Sequence, residues 1–336
     1  MPRVPQELAD PEPTPKYGVG GSATMNRRTF LRFSLGGVSV VCFLPLHGCG
    51  GSSRDDRIPL LWVETGVCTG CASSLLDSFA PPAEIIVPEI RLEFQETLMG
   101  DFGSRAIDEL LAAASAHTGK FVLVVDGAIP RGEASRMTTL GTGGDGREYS
   151  AEELVAGLAA QSAHVVALGT CASFGGIPGS APGTGIYVSI AEVIGAAPIR
   201  IPGCPPNPSW IASALMAFLR GDLIEVDSLG RPTSFFGKTV HDECPRLERF
   251  TASDFALAPG DPARCLFKLG CKGMMARGDC PSRLWQGRSY CVKANHSCIG
   301  CTAPGFLDAR PLVDGKEVGL EGKAATPFGR TLEVLP

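Results

Sequence analysis

No run of lysine and arginine in this sequence reads as a phosphate-binding stripe, and the formal net charge is −5. Nucleic acid is therefore not an expected partner. After the first fifty residues there is no apolar run of the roughly 20 residues a bilayer-crossing helix takes. No membrane anchor is expected from the segment TLEVLP, and no internal repeat is evident. Charged residues are only 19% of the chain and hydrophobic ones 44%. That is the mix of an ordinary soluble protein, and 336 residues suffice for one large core or two modest ones.

Cysteine is what the chain has in excess. Thirteen thiols are too many for a typical cytosolic enzyme and imply disulfides, metal ligands or both. The N-terminus narrows the choice. In NRRTFLRF, Arg27 and Arg28 stand ahead of a short apolar segment from Phe33 to Leu46, the pattern of a twin-arginine export signal. The competing reading is an amphipathic helix start with two chance arginines. A twin-arginine route carries proteins already folded around their cofactors, which favours metal clusters over a disulfide framework. Residues 1–24 read either as an unstructured extension or as sequence ahead of a true start at Met25, and residues 25–49 as the signal region. In LHGCGGSSRDD, Cys49 is a candidate for lipidation, although His47 is awkward there, and residues 50–57 form a linker. One acyl chain would tether only weakly. Membrane association is expected only through Cys49 or a partner, and the location is the periplasm or the outer face of the cytoplasmic membrane.

Without Cys42 and Cys49, eleven of the thirteen cysteines remain. An odd number weighs against a pure disulfide scaffold. From Ile58 to about residue 223, strand and helix patterns alternate. IPLLWVE, FVLVVDG (Phe121 to Gly127), HVVALGT (His164 to Thr170) and the weaker IRIPG (Ile199 to Gly203) read as buried parallel strands. SRAIDELLAAASAH, SAEELVAGLAAQ (with Ser150 and Glu153 as a capping box) and NPSWIASALMAFLR read as helices. The expected fold is α/β, a doubly wound parallel sheet over residues 58–223. Cys68 and Cys71 follow the first strand, Cys171 the strand HVVALGT, and Cys204 the strand IRIPG. Loops after the carboxyl ends of parallel strands share one edge of the sheet, so these four thiols are expected to converge.

Residues 224–336 differ in character. Gly, Pro, Cys and charge dominate, and such a region needs internal staples to stay ordered. Its candidates are His241, Cys244, Cys265 and Cys271, then Cys280, Cys291, Cys298 and Cys301. Eleven thiols and one imidazole make three sets of four, the ligand count of three cubane iron–sulfur clusters. Zinc takes the same ligand types in tetrahedral sites but gives no reason for three sites in one chain.

CTGC, ETLMG, VVDGAIPRG, GTCASFGG, PGCPPNP, FGKTVHDECPR, CLFKLGCKG and CIGC occur in this order. Together they resemble the small, electron-transferring subunit of [NiFe] hydrogenases, over nearly the whole mature chain. The resemblance implies a flavodoxin-like first domain and a cluster-stapled, irregular second one. It implies that Cys68, Cys71, Cys171 and Cys204 hold a proximal [4Fe–4S] cluster, and that His241, Cys244, Cys265 and Cys271 hold a distal one. Cys280, Cys298 and Cys301 match the middle cluster. Most relatives have proline at Cys291 and a three-iron centre, so Cys291 is expected to complete a middle [4Fe–4S] cluster here, against the alternative of an unligated thiol. Oxygen-tolerant relatives carry two further proximal cysteines, at positions that look like Gly70 and Gly176 here. Glu96 and Asp126 fall in family loops and are interface candidates; His296 is read as a hydrogen-bonding neighbour rather than a ligand.

The implied activity is H2 ⇌ 2H+ + 2e−, with the nickel–iron site on a large partner subunit and no catalytic residue on this chain. The implied electron acceptor is a cytochrome or another redox partner. The alternative reading is a non-catalytic multi-cluster electron carrier or an H2- or redox-sensing subunit. A related single-cluster subunit of respiratory complexes shares the proximal pattern but lacks the C-terminal ligand set.

Overall fold

The computed structural model describes residues 57–77, 90–137, 139–180 and 186–307, together with two short strands at Leu312–Val313 and Lys316–Glu317. The expectations for Met25, the export signal and Cys49 lie outside the described residues. Among those described, no helix is long and apolar enough to cross a membrane.

Five strands build the central sheet: β1 (Ile58–Glu64), β2 (Ile90–Gln95), β3 (Val122–Asp126), β4 (His164–Leu168) and β5 (Ile199–Ile201). All neighbours are parallel, in the order β2-β1-β3-β4-β5. This is the flavodoxin-like doubly wound order, whose binding crevice lies where the winding reverses, between β1 and β3. Strand β2 is the one strand of this sheet that sequence reading did not anticipate. It lies at the edge of the sheet, where Arg91 and Glu93 interrupt the apolar run that marks the inner strands.

Alternate residues of each strand point to opposite faces, and helices bury both. Leu60, Trp62, Val122, Val124, Val166, Leu168 and Ile201 meet helices α1 (Gly70–Leu76) and α6 (Pro208–Arg220) on one side. Leu61, Val63, Leu123, Val125 and Ala167 meet α2 (Ser104–Ala116), α3 (Ala151–Gln161) and α5 (Ile190–Ile194) on the other. Helix α4 (Gly169–Phe174) follows β4 directly. Of the expected capping box at α3, only half forms. Ser150 Oγ accepts from the Glu153 amide at 3.2 Å, while the Glu153 carboxylate pairs with Arg147 instead. The complete box is at α5, between Ser189 and Glu192.

Beyond α6 the chain runs in turns around a small core of Val240, Ala256, Leu266, Ala276 and Val292, packed against Cys244, Cys271, Cys280 and Tyr290. Thiols thus fill positions that larger apolar side chains occupy in an ordinary core. Directed bonds pin this region to the sheet unit. Trp210 Nε1 donates to Asp279 at 2.7 Å, and Asn207 Nδ2 to the Leu284 carbonyl at 2.9 Å.

Candidate metal centres

Eleven cysteines fall among the described residues, and all are free thiols. The first quartet assembles at the carboxyl edge of the sheet. Cys68 and Cys71 sit at the β1–α1 turn, Cys171 lies in α4, and Cys204 follows β5. Burial raises the Cys71 thiol well above its ordinary value, helped by Asp126 and then by Cys171 and Cys68. Burial pushes Cys171 up to about 11, with Cys204 and Cys68 adding to the shift. Cys204 is raised by burial and by Cys68. Cys68 therefore lies within electrostatic reach of the other three thiols, as a common binding site requires.

Backbone geometry makes room for these sulfurs. At Gly169 (φ +77°) a Cβ would stand 2.6 Å from Cys71 Sγ. At Gly176 (φ +53°) it would stand 2.6 Å from Cys171 Sγ and 2.7 Å from Cys171 Cα. Both positions need the left-handed conformation that glycine adopts without strain. Gly70 is less confined, with its hypothetical Cβ 3.1 Å from Cys68 Sγ.

A second quartet lines a cleft of about 340 Å³, part of it open to solvent: His241, Cys244, Cys265 and Cys271, with Arg246, Phe267, Met274 and Val292 completing the wall. Burial lowers the His241 imidazole, which favours the neutral form a metal ligand needs. The ring packs edge-on against Phe250 at 4.7 Å between centroids. Cys265 and Cys271 are both raised by burial and by Cys244.

The third quartet lies between the other two. Burial raises Cys280, followed by Cys301 and Cys291; Cys298 responds to burial and to Cys271, Cys301 and Cys291. Cys291 is thus brought in among the other three. Burial pushes Cys301 up to about 12, opposed by the backbone N–H of Cys204 directed at its sulfur. The Cys298 amide is likewise directed at Cys271. These two contacts order the quartets in a row. Thr170 reinforces the first junction: its buried hydroxyl accepts from the Gly203 amide at 2.9 Å and donates to the Cys301 carbonyl.

The donor chemistry fits iron–sulfur clusters. Thiols are soft ligands, and backbone N–H groups of Ile177, Phe267, Gly273, Ile299 and Gly300 are directed at their sulfurs, as cluster-binding loops require. The Tyr290 hydroxyl is buried with no nitrogen or oxygen partner and is directed at Cys244, which after burial itself is the chief cause that raises it. A cluster sulfur or a thiolate at Cys244 would be a stronger acceptor for it than a thiol. Among the described residues no three His, Cys, Asp or Glu side chains are arranged to hold a single metal ion.

Carboxylates gather beside the first quartet. Parallel pairing sets Glu64 opposite Asp126, and both Glu96 carboxylate oxygens accept from the Glu64 amide at 3.1 Å. Asp126 is 1% exposed, and its carboxylate meets the Cys71 thiol and the Ala72 amide with no cation beside it. Burial pushes Asp126 and Glu96 up to about 7 each. Sequence reading singled out Glu96 and Asp126 but missed Glu64, because the β1–β3 register that creates the group is tertiary. Thr170, Arg246 and Tyr290 were missed too: only the folded chain shows the first two side chains and the Tyr290 hydroxyl buried beside the sulfurs. His296 is exposed, its Nδ1 2.8 Å from the Ser297 carbonyl.

The family model for the C-terminal part of the NiFe/NiFeSe hydrogenase small subunit matches residues 236–313, and the model of the NADH ubiquinone oxidoreductase 20 kDa subunit matches residues 68–218. The small subunit of a periplasmic [NiFeSe] hydrogenase from Desulfomicrobium baculatum is 34% identical, over 85% of this chain and 98% of its own. The chain belongs to the NiFe hydrogenase small-subunit family. A quinone-reactive Ni/Fe-hydrogenase small chain from Wolinella succinogenes is also 34% identical, covering 84% of this chain and 82% of the relative. Among solved structures, the reduced, active Ni-Fe-Se hydrogenase from Desulfomicrobium baculatum superposes with a TM-score of 0.71 at 35% identity, over 75% of this chain and 96% of the other. The hydrogenase fold therefore spans both halves, and the 20 kDa-subunit match accounts for the sheet unit that carries the first quartet.

Proposed function

We propose that this chain is the electron-transfer half of a heterodimeric [NiFe] hydrogenase that interconverts H2 with two protons and two electrons. Cys68, Cys71, Cys171 and Cys204 hold the proximal [4Fe–4S] cluster, Cys280, Cys291, Cys298 and Cys301 the middle one, and His241, Cys244, Cys265 and Cys271 the distal one. When bound, these clusters supply one-electron redox chemistry. The protein's part is to space them, exclude water and set their potentials through backbone N–H groups. The observation that carries this reading is the row of quartets, joined at Cys204–Cys301 and Cys298–Cys271.

Cys68 is exposed on the same edge as Leu98 (50%) and Phe102 (86%), which follow β2. An exposed thiol among large apolar side chains supports an obligate interface with the large subunit there, with exposed Glu96 lining it; Asp126, 1% exposed, lies beneath that surface and not on it. His241 at the far end faces the route to a cytochrome, a quinone-linked protein or another acceptor. We assign residues 58–223 and 224–336 as the two domains, and the twin-arginine signal, periplasmic location and candidate lipidation of Cys49 belong to the same reading.

Anaerobic purification of the native complex with metal and EPR analysis tests it. A nickel-containing partner of larger mass and about twelve irons per heterodimer are expected. A solitary iron–sulfur protein would favour the free-carrier alternative. A strong [3Fe–4S] signal on oxidation would exclude Cys291 as a middle ligand.

A further inference from the structure

A buried charge with no opposite charge bonded to it is costly in a protein interior, and Arg246 is such a case: it acts on the Asp261 carboxylate only at a distance. The residue is 8% exposed. Its guanidinium donates to the carbonyls of Asp261 at 2.9 Å, Arg264 at 2.8 Å and Val292 at 3.2 Å, and to Asn295 Oδ1 at 2.6 Å. All four acceptors are neutral, so the positive charge is held in place without being cancelled. Two of the carbonyls neighbour Cys265 and Cys291, and Arg246 itself follows Cys244 by two residues. The charge therefore stands on the seam between the distal and middle quartets, in the wall of the distal cleft. Arg231, buried as deeply, differs: it meets the Asp227 carboxylate at 2.7 Å.

Tyr290 occupies the same seam from the other side. It precedes Cys291, packs in the thiol-lined core, and carries a buried hydroxyl that meets no nitrogen or oxygen partner and is directed at the Cys244 sulfur. Its position beside Cys244 matches that of a donor to sulfur at the distal centre.

We propose that Arg246 and Tyr290 are positioning residues that raise the reduction potential of the distal cluster above what its four ligands alone would set. The inference rests on reading His241, Cys244, Cys265 and Cys271 as cluster ligands. In the step concerned, one electron passes from the middle to the distal centre; the middle is oxidised, the distal reduced, and no proton moves. The distal site gains one unit of negative charge, which the fixed guanidinium and the phenol O–H stabilise. The electron then leaves to an external one-electron acceptor protein. Arg246 thereby makes the far end of the row the favoured resting place for electrons arriving from H2 oxidation.

A unit charge about 8–10 Å from the added electron, at an effective dielectric constant near 20, shifts a reduction equilibrium by about tenfold or more. The test is an EPR-monitored redox titration of the whole heterodimer carrying Arg246→Met, Arg246→Lys or Tyr290→Phe, with iron content measured on each sample. Arg246→Met is expected to lower the distal reduction equilibrium at least tenfold, or about 59 mV for one electron, and leave the proximal cluster unmoved. Arg246→Lys, which keeps the charge, is expected to shift it less than tenfold, and Tyr290→Phe to lower it several-fold. A distal potential in iron-replete Arg246→Met that moves no more than the proximal one overturns the proposal. Should Arg246→Met fail to assemble, an unmoved distal potential in Tyr290→Phe overturns it equally. Failure of the underlying ligand reading looks different: the unmutated complex would then hold about eight irons and show no distal signal.

Discussion

Replacing Thr170 by valine deletes one oxygen at the junction between the first and third quartets. The residue is 2% exposed, and its hydroxyl accepts from the Gly203 amide at 2.9 Å while donating to the Cys301 carbonyl. Valine has nearly the same shape, so the change isolates the hydrogen bonds from packing. An unsatisfied buried donor or acceptor costs about 1–3 kcal/mol, and two are created, which gives about 2–6 kcal/mol of local destabilisation. Even the lower figure opens the junction about 30 times more often, since about 1.4 kcal/mol is tenfold. Hydrogen–deuterium exchange of the peptide spanning Gly203, read by mass spectrometry on the intact complex, measures that opening directly. Thr170→Ser supplies the control: it keeps the hydroxyl, loses one methyl, and should cost only about 1 kcal/mol. Exchange at Gly203 that is unchanged in the valine variant would refute the claim that this hydroxyl clamps the two quartets together.

Gly176→Ala places a Cβ 2.6 Å from Cys171 Sγ at a φ of +53°, so the variant should lose the proximal cluster selectively, by about four irons of twelve on metal analysis. Asp126→Asn should flatten the pH dependence of stability. The Asp126 carboxyl rises from 3.8 to about 7 on folding, so its contribution is full below pH 4 and lost as pH climbs through 7. Denaturant unfolding of the complex should show the asparagine variant more stable than wild type at pH 8, by on the order of 4 kcal/mol, and equal to it near pH 4. Cys291→Ser should convert the oxidised middle centre to one with a [3Fe–4S] EPR signal while iron falls by about one per heterodimer; an unaltered spectrum would show that Cys291 does not bind iron.

Four of the five sheet strands were legible because buried parallel strands read as continuous apolar runs, as in FVLVVDG and HVVALGT. The strand at Ile90–Gln95 was not, since an edge position tolerates Arg91 and Glu93 within the run. The cap at Ala151–Gln161 was half legible: Ser150 does cap, but Glu153 had a stronger partner in Arg147, a competition no local pattern announces. For the metal centres, spacing revealed the pairs Cys68–Cys71 and Cys298–Cys301, and the strand pattern placed Cys171 and Cys204 on the same edge. Sequence order suggested two sets of C-terminal ligands, but assigning them to a distal and a middle position needed the family resemblance, because turns without periodicity say nothing about which loop faces which.

Taken alone, the sequence determined the inventory: which side chains are soft metal ligands, which segments are apolar enough to form the inner sheet, and which glycines permit tight turns near sulfur. These are local properties, set by residue type and spacing. The tertiary structure decided adjacency. It put the Cys204 amide against Cys301 and the Cys298 amide against Cys271, set Glu64 beside Asp126, and buried Arg246 among neutral carbonyls of Asp261, Arg264 and Val292. Desolvation and the reach of a charge depend on distance through space, and distance through space is what a linear chain leaves open until it folds.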